Sequence, residues 1–264
     1  MRCKLVLTVF CLFVCVVAVA KEYRIGIEQL DYYPHYDFKS AQPRGYIYDL
    51  IQLYSQWSGD KFIFVPLPVK RLYAEAGALT DFIYPDNQAW QPHLASEGAA
   101  TKKYSDPVIY TLGSTMVRPE NADMQLQQFK LLANIHGFSP TLWLPLLSQY
   151  KIRILEVPDA EFALKLALRG RVDGANVEYN VAAYQLQRMK QPEALVAGLH
   201  LPFSELAFHL STEKHPEQLK RFNRFLREQS HVIARLKQKY GLIEFKHQLA
   251  VIPPAAPGAA EIRK

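Results

Sequence analysis

Segments patterned like strands alternate along this chain with segments of helical periodicity. That alternation confines the fold to an α/β architecture with parallel strand pairing. Residues 23–28 read as a strand, and 45–58 as a helix whose inner face is Ile47, Leu50, Ile51 and Tyr54, stopped by Gly59. A strand at 62–65, a helix at 69–77 and a strand at 81–84 complete one β-α-β-α-β unit. The rhythm then breaks over residues 85–107, a polar stretch containing Pro85, Asp86, Asn87, Trp90, Pro92 and Gly98. An insertion of this length in a compact domain is more often functional than idle.

The pattern resumes with a strand at 131–135, followed by a helix with Ser139 as N-cap and Pro140 at its first position. A strand at 152–157 leads to a helix capped by Asp159 and ended by Gly170, then to strands at 172–177 and 205–210. Leu219, Phe222, Leu226, Ile233, Leu236 and Tyr240 recur at helical spacing. They predict a terminal amphipathic helix whose many lysines and arginines form a solvated face.

All three cysteines, Cys3, Cys11 and Cys15, fall within the first twenty residues. Arg2 and Lys4 precede an apolar run over 5–17 that closes on Ala18-Val19-Ala20, the pattern of a cleavable signal peptide spanning 1–20 and cut after Ala20. The run is shorter than the roughly 20 residues of a spanning helix, and Phe10 and Val14 stand where a lipoprotein signal has small residues. The expected product is a soluble periplasmic protein beginning at Lys21. Having no cysteine, it has no disulfide framework, no thiolate catalysis and no cysteine-held metal. Its core must supply its stability, and the 244 residues left when 20 are removed from 264 are enough for two lobes. Residues 251–264, with Pro253, Pro254, Pro257 and Gly258, read as a disordered tail.

Loss of Arg2 and Lys4 leaves 29 of the 31 basic residues against 25 acidic ones, too even a balance for a nucleic-acid binder. The eight histidines include no pair at zinc-ligand helical spacing. Gly137-Phe138-Ser139-Pro140-Thr141 fails the nucleophile-elbow pattern at its last position, and no phosphate-cradling glycine loop occurs. The residues therefore assign no catalytic group, metal site or cofactor, and the reading is a monomeric binding protein rather than an enzyme.

The order of these elements, with Arg24-Ile25-Gly26-Ile27-Glu28, Gly45-Tyr46-Ile47-Tyr48-Asp49-Leu50, Tyr104-Ser105-Asp106-Pro107, the run from Leu168 to Gly174 and Lys239-Tyr240-Gly241, resembles the family 3 periplasmic solute-binding proteins. That type delivers amino acids to ABC importers. The resemblance implies a type II two-lobed fold with two hinge crossovers. Lobe one would comprise 21–111 and 204–250, lobe two 112–203, and the hinge 108–117 with 201–207. It also implies a small-molecule solute closed between the lobes and an inner-membrane ABC permease as candidate partner. Two alternatives share the architecture: a periplasmic cyclohexadienyl or arogenate dehydratase, with Glu178 as general acid, and a stand-alone sensor.

By the same resemblance, Glu178, five places after Asp173, and Glu28, at the end of the first strand, are the acids that meet a ligand's ammonium group. Gly137 and Ser139 approximate the glycine-hydroxyl element that holds a carboxylate at a helix start. The chain departs from the family where amino-acid binders carry a Thr-x-x-Arg carboxylate clamp, having Pro85-Asp86-Asn87-Gln88-Ala89-Trp90 instead. No arginine lies between Arg71 and Arg118, and Lys102 and Lys103 offer only flexible point charges. A cleft with Glu28, Asp86 and Glu178 near Tyr32, Tyr33, Asn87 and Trp90 suits an amine-bearing or cationic solute, since carboxylates and aromatic faces both attract positive charge. Replacing Glu178 by Gln is expected to remove tight binding while changing stability by less than about 1 kcal/mol, as for a surface position. Arg71 reads as a structural partner of a carboxylate, and Gly45 and Asp49 as structural.

Overall fold

A computed structural model of the protein describes residues 20–90, 102–198 and 200–245. The leader up to residue 19, the tail at 251–264 and part of the insertion, 91–101, lie outside the described residues. The first unit holds strands β1 (Glu22–Glu28), β2 (Asp31–Tyr32) and β3 (Tyr36–Asp37), helix α1 (Tyr46–Ser58), β4 (Lys61–Leu67), α2 (Val69–Leu79), β5 (Phe82–Asp86) and β6 (Lys103–Tyr104). Beyond it run β7 (Ile109–Val117), β8 (Leu131–Ile135), α3 (Leu144–Gln149), β9 (Arg153–Val157), α4 (Ala160–Leu168), β10 (Gly174–Glu178), α5 (Tyr179–Arg188) and β11 (Val196–Ala197). The chain then enters β12 (Ser204–Thr212), α6 (Pro216–Glu228) and α7 (Ser230–Lys239).

In one lobe β1 lies parallel to both β4 and β5, and in the other β8 lies parallel to both β9 and β10. The antiparallel strands β12 and β7 join them, giving the order β4-β1-β5-β12-β7-β10-β8-β9. The chain therefore crosses between lobes twice, as expected, along a ribbon paired from Ser204 with Gly113 to Phe208 with Ile109. Each ribbon strand belongs to both lobes. β12 continues past the ribbon to pair with β5 and β6, and β7 continues to pair with β10 and β11.

Local chemistry explains the elements that carry the site. Gly45, before α1, has φ of 114°, and a Cβ there would sit 2.6 Å from the Tyr36 Cα, so only glycine lets α1 pack this closely on β3. Asp159 caps α4 by accepting the Phe162 N–H at 2.9 Å. Asp49 accepts from Lys239 Nζ at 2.7 Å and from the Tyr240 hydroxyl at 2.8 Å, which ties α1 to the end of α7. Arg71 pairs with Glu75 one helical turn away, at 2.8 Å.

Two sequence expectations change. The helix expected from Ser139 begins instead at Leu144, with Trp143 at its N-cap and no side-chain capping bond. Residues 136–143 form a loop with turns at 136–137 and 141–143, in which the Trp143 and Leu144 N–H groups both close on the Pro140 carbonyl. The terminal helix is two helices that turn at Gln229. A straight helix over 216–239 would run about 36 Å against about 20 Å for α1, so a turn lets both α6 and α7 pack on α1. Among the described residues no helix is long and apolar enough to cross a membrane.

Candidate functional site

The carboxyl ends of β1, β5, β8 and β10 converge on the ribbon and enclose a cavity of about 130 Å³. Ligands of open α/β sheets sit at such strand ends. Glu28, Tyr32, Trp90, Gly137, Ser139 and Glu178 all line it, brought together from both lobes. The rest of the lining mixes the rings of Tyr36, Tyr73, Phe138, Trp143, Phe203 and Phe208 with aliphatic, proline and small polar residues, and among the described residues no Lys, Arg or His lines it. The described residues hold no cluster of His, Cys, Asp or Glu able to ligate a metal.

Glu28 ends β1 and is buried. Tyr36 hydrogen-bonds to one carboxyl oxygen, and the Tyr73 hydroxyl lies 3.1 Å from the other. Burial raises its pKa to about 7, outweighing the opposing contacts with the two tyrosine hydroxyls, and nearby Asp86 adds to the rise.

Glu178 faces the same cavity in a different setting. It caps α5, with Oε2 accepting the Val181 N–H at 3.0 Å, and that oxygen also lies 2.9 Å from His35 Nε2. Its Oε1 accepts the Asn180 amide at 2.9 Å. His35 is wholly buried and Glu178 is 4% exposed, so this contact is a desolvated tie from the β2–β3 turn of one lobe to β10 of the other. The surface role assumed for Glu178 is thus corrected. A Gln there would turn its NH₂ toward a donor in either orientation, a buried mismatch costing more than about 1 kcal/mol.

Three of the nine candidates sit outside the cavity lining. Asp86 is buried within its lobe and accepts from Ser211 Oγ at 2.5 Å and Lys102 Nζ at 3.1 Å. Asn87 donates to the Ala207 carbonyl at 2.7 Å and accepts the Ala89 N–H at 2.8 Å, which locks the turn before Trp90 onto β12. Tyr33 packs on Tyr184 with ring centroids 4.3 Å apart, beneath the Arg44 guanidinium.

Gly137 has φ of 90°, and a Cβ there would lie 2.9 Å from Val69 Cβ, so the turn carrying Ser139 meets α2 of the facing lobe closely. Asn134 holds this turn by donating to the Phe138 carbonyl at 2.8 Å. Outside the cavity, Lys39 pairs with Asp159 at 3.0 Å, and Arg188 pairs with Asp31 at 3.0 Å and with Glu161. Sequence reasoning missed His35, Tyr36 and Tyr73 as site groups. Tyr73 had a signal, lying four residues after Val69 on the inner face of α2, whereas nothing local marks His35.

No protein-family model and no curated protein matches the sequence. Solved structures do match. A periplasmic binding protein of an arginine transport system from Legionella pneumophila is 12% identical, with 84% of this chain and 100% of that one covered at a TM-score of 0.60. An ancestral amino-acid-binding protein, described as a precursor of cyclohexadienyl dehydratase, is 20% identical over 83% of this chain and 95% of that one, at 0.64. A histidine kinase sensor domain with similarity to periplasmic binding proteins is 16% identical over 85% and 98%, at 0.65. The chain has their fold, the two-lobed type II periplasmic-binding-protein architecture.

Proposed function

We propose that this protein captures a small amine-bearing or cationic solute between its two lobes and releases it unchanged. The observation that carries this reading is the cavity itself: two buried carboxyl groups and aromatic walls, with no cationic side chain among the described residues lining it. A solute carboxylate would lose its hydration there without a counter-charge, whereas an ammonium group would find carboxyl oxygens and ring faces. A volume of about 130 Å³ fits a compact solute.

Lobe one is assigned to 21–111 and 204–250 and lobe two to 112–203, with closure about the β7–β12 ribbon. Glu28, Tyr32, Trp90, Ser139 and Glu178 form the solute's surroundings. Tyr33, Asp86 and Asn87 shape the lobe that presents them. Export by the leader places the protein in the periplasm as a monomer. A transport-system protein and a sensor domain share its fold, which supports either an ABC permease or a membrane sensor as the partner that reads closure. Calorimetry against small amines, quaternary ammonium ions, basic amino acids, and neutral and acidic solutes tests the reading. Binding confined to cations is expected, and binding confined to anions overturns it.

One observation favours a second reading, a dehydratase. Glu28 is an acid with a raised pKa in a cavity, as general-acid catalysis requires. Formation of phenylalanine on incubation with arogenate would establish it in place of binding.

A further inference from the structure

Two neighbouring oxygens compete for a single proton at the Glu28 end of the cavity. The Tyr73 hydroxyl lies 2.8 Å from the Pro85 carbonyl oxygen and 3.1 Å from Glu28 Oε1. A carbonyl can only accept, and a tyrosine has one proton to give. The shorter contact takes it. The contact with Glu28 is then a hydrogen bond only when Glu28 supplies a proton of its own. Its other oxygen faces the Tyr36 hydroxyl, which donates to it. One oxygen accepting and the other donating is the arrangement of a neutral carboxylic acid.

The charged and titratable groups around Glu28 favour that form. Tyr36 comes from β3, Tyr73 from α2, Tyr32 from β2, and Asp86 and Tyr84 from β5. Asp86 contributes negative charge and is itself matched by Lys102. Glu178 lies across the cavity and is tied to His35. None of these groups brings a positive charge to Glu28, and burial of the carboxyl acts in the same direction.

We propose that Glu28 is a carboxylic acid hydrogen-bonded to Tyr73 until solute enters, and that an arriving ammonium group displaces its proton, making capture an exchange of one cation for one proton. This rests on the cationic-solute reading above. The O–H bond of Glu28 breaks, the proton passes to water at the cavity mouth, and the carboxylate left behind faces the solute's positive charge. Net charge in the cavity changes little. The sign follows from mass action: wherever Glu28 is protonated, the proton must leave first, so affinity rises with pH. With the acid titrating at about 7, binding strengthens about tenfold between pH 6 and pH 8.

Tetramethylammonium is the informative probe because its charge does not titrate, so any proton released comes from the protein. Calorimetry of the full mature chain at pH 6, in phosphate and in MES buffers of different protonation heat, is expected to show nearly one proton released per cation. At pH 8 release should be about a tenth of that, and Glu28→Gln should remove it at both. Cation binding at pH 6 without proton release overturns the exchange. An infrared carboxylic C=O band measured without any cation reads the acid separately. It should be present at pH 5.5, absent at pH 8.5 and missing from Glu28→Gln, and its absence at pH 5.5 overturns the proposal. Failure of the cation to bind at any pH sinks the cationic-solute reading and the exchange with it, while the infrared band still decides the state of Glu28.

Discussion

Glu28 and Glu178 face the same cavity from opposite lobes, both buried, yet their surroundings make them different reagents. Around Glu28 the tyrosine hydroxyls offset only part of its removal from water and the neighbouring charge of Asp86 adds to the cost, so the acid form is favoured. Around Glu178 there are the Val181 N–H at a helix start, the Asn180 amide and the His35 ring. These groups satisfy its oxygens within the protein. The lesson is that burial alone does not fix what a carboxyl group does; its donors do. Glu178 ties β10 to the β2–β3 turn of the facing lobe, and Glu28 is the group whose protonation our proposal has a solute change.

The contrast breaks most easily at Glu178. Glu178→Ala leaves His35 buried without its partner and removes the cap of α5, and is expected to cost about 4 kcal/mol. Urea unfolding of the two proteins measures it; a loss below about 1 kcal/mol would mean the tie between the lobes contributes little.

Glu28 is expected to show a pH signature in its contribution to stability. Its pKa is raised from 4.5 to about 7, so the folded state holds the proton more tightly than the unfolded chain. The stability this brings is fully present below about pH 4.5 and is lost as pH rises to about 7. Relative to Glu28→Gln, the wild-type protein should lose about 3 kcal/mol across that window. Unfolding midpoints of both proteins at pH 4.5 and 7.5 provide the check, and parallel behaviour would mean that Glu28 does not hold its proton more tightly in the folded state.

The smallest effect is expected outside the cavity. Lys39 and Arg188 are partly exposed, and replacing either by Ala should cost about 0.5 kcal/mol, less in 0.5 M salt. A loss several times larger, insensitive to salt, would move the main tie between the lobes from the cavity to its rim.

Much of the fold is legible in the sequence because it is repeated locally. The strand at 131–135, the cap at Asp159, the inner face of α1 and the glycine before it all come from periodicity or from one residue's conformational range. The start of α3 was not legible, because Ser139 and Pro140 form a cap signature that the chain uses in a turn instead. Nor was the break at Gln229, which answers to the length of α1 rather than to its own neighbours.

Within the site, sequence position brought Glu28, Tyr32, Trp90, Gly137, Ser139 and Glu178 into view, and all six line one cavity. It could not separate Asp86 from them. Asp86 ends a strand just as Glu28 does, and its partners Lys102 and Ser211 lie 16 and 125 residues away. His35 was invisible for the same reason, since its partner is 143 residues distant.

The sequence by itself determined the alternation of elements and the scarcity of cationic groups near the strand ends, because periodicity and residue type act over a few neighbours; the two crossings between lobes were implied only by the family resemblance. Only the tertiary structure decided which acid is tied to His35, which is spent on Lys102 and which faces the cavity among tyrosines. Hydrogen bonds and desolvation depend on the atoms a few ångströms away, and here those atoms arrive from distant parts of the chain.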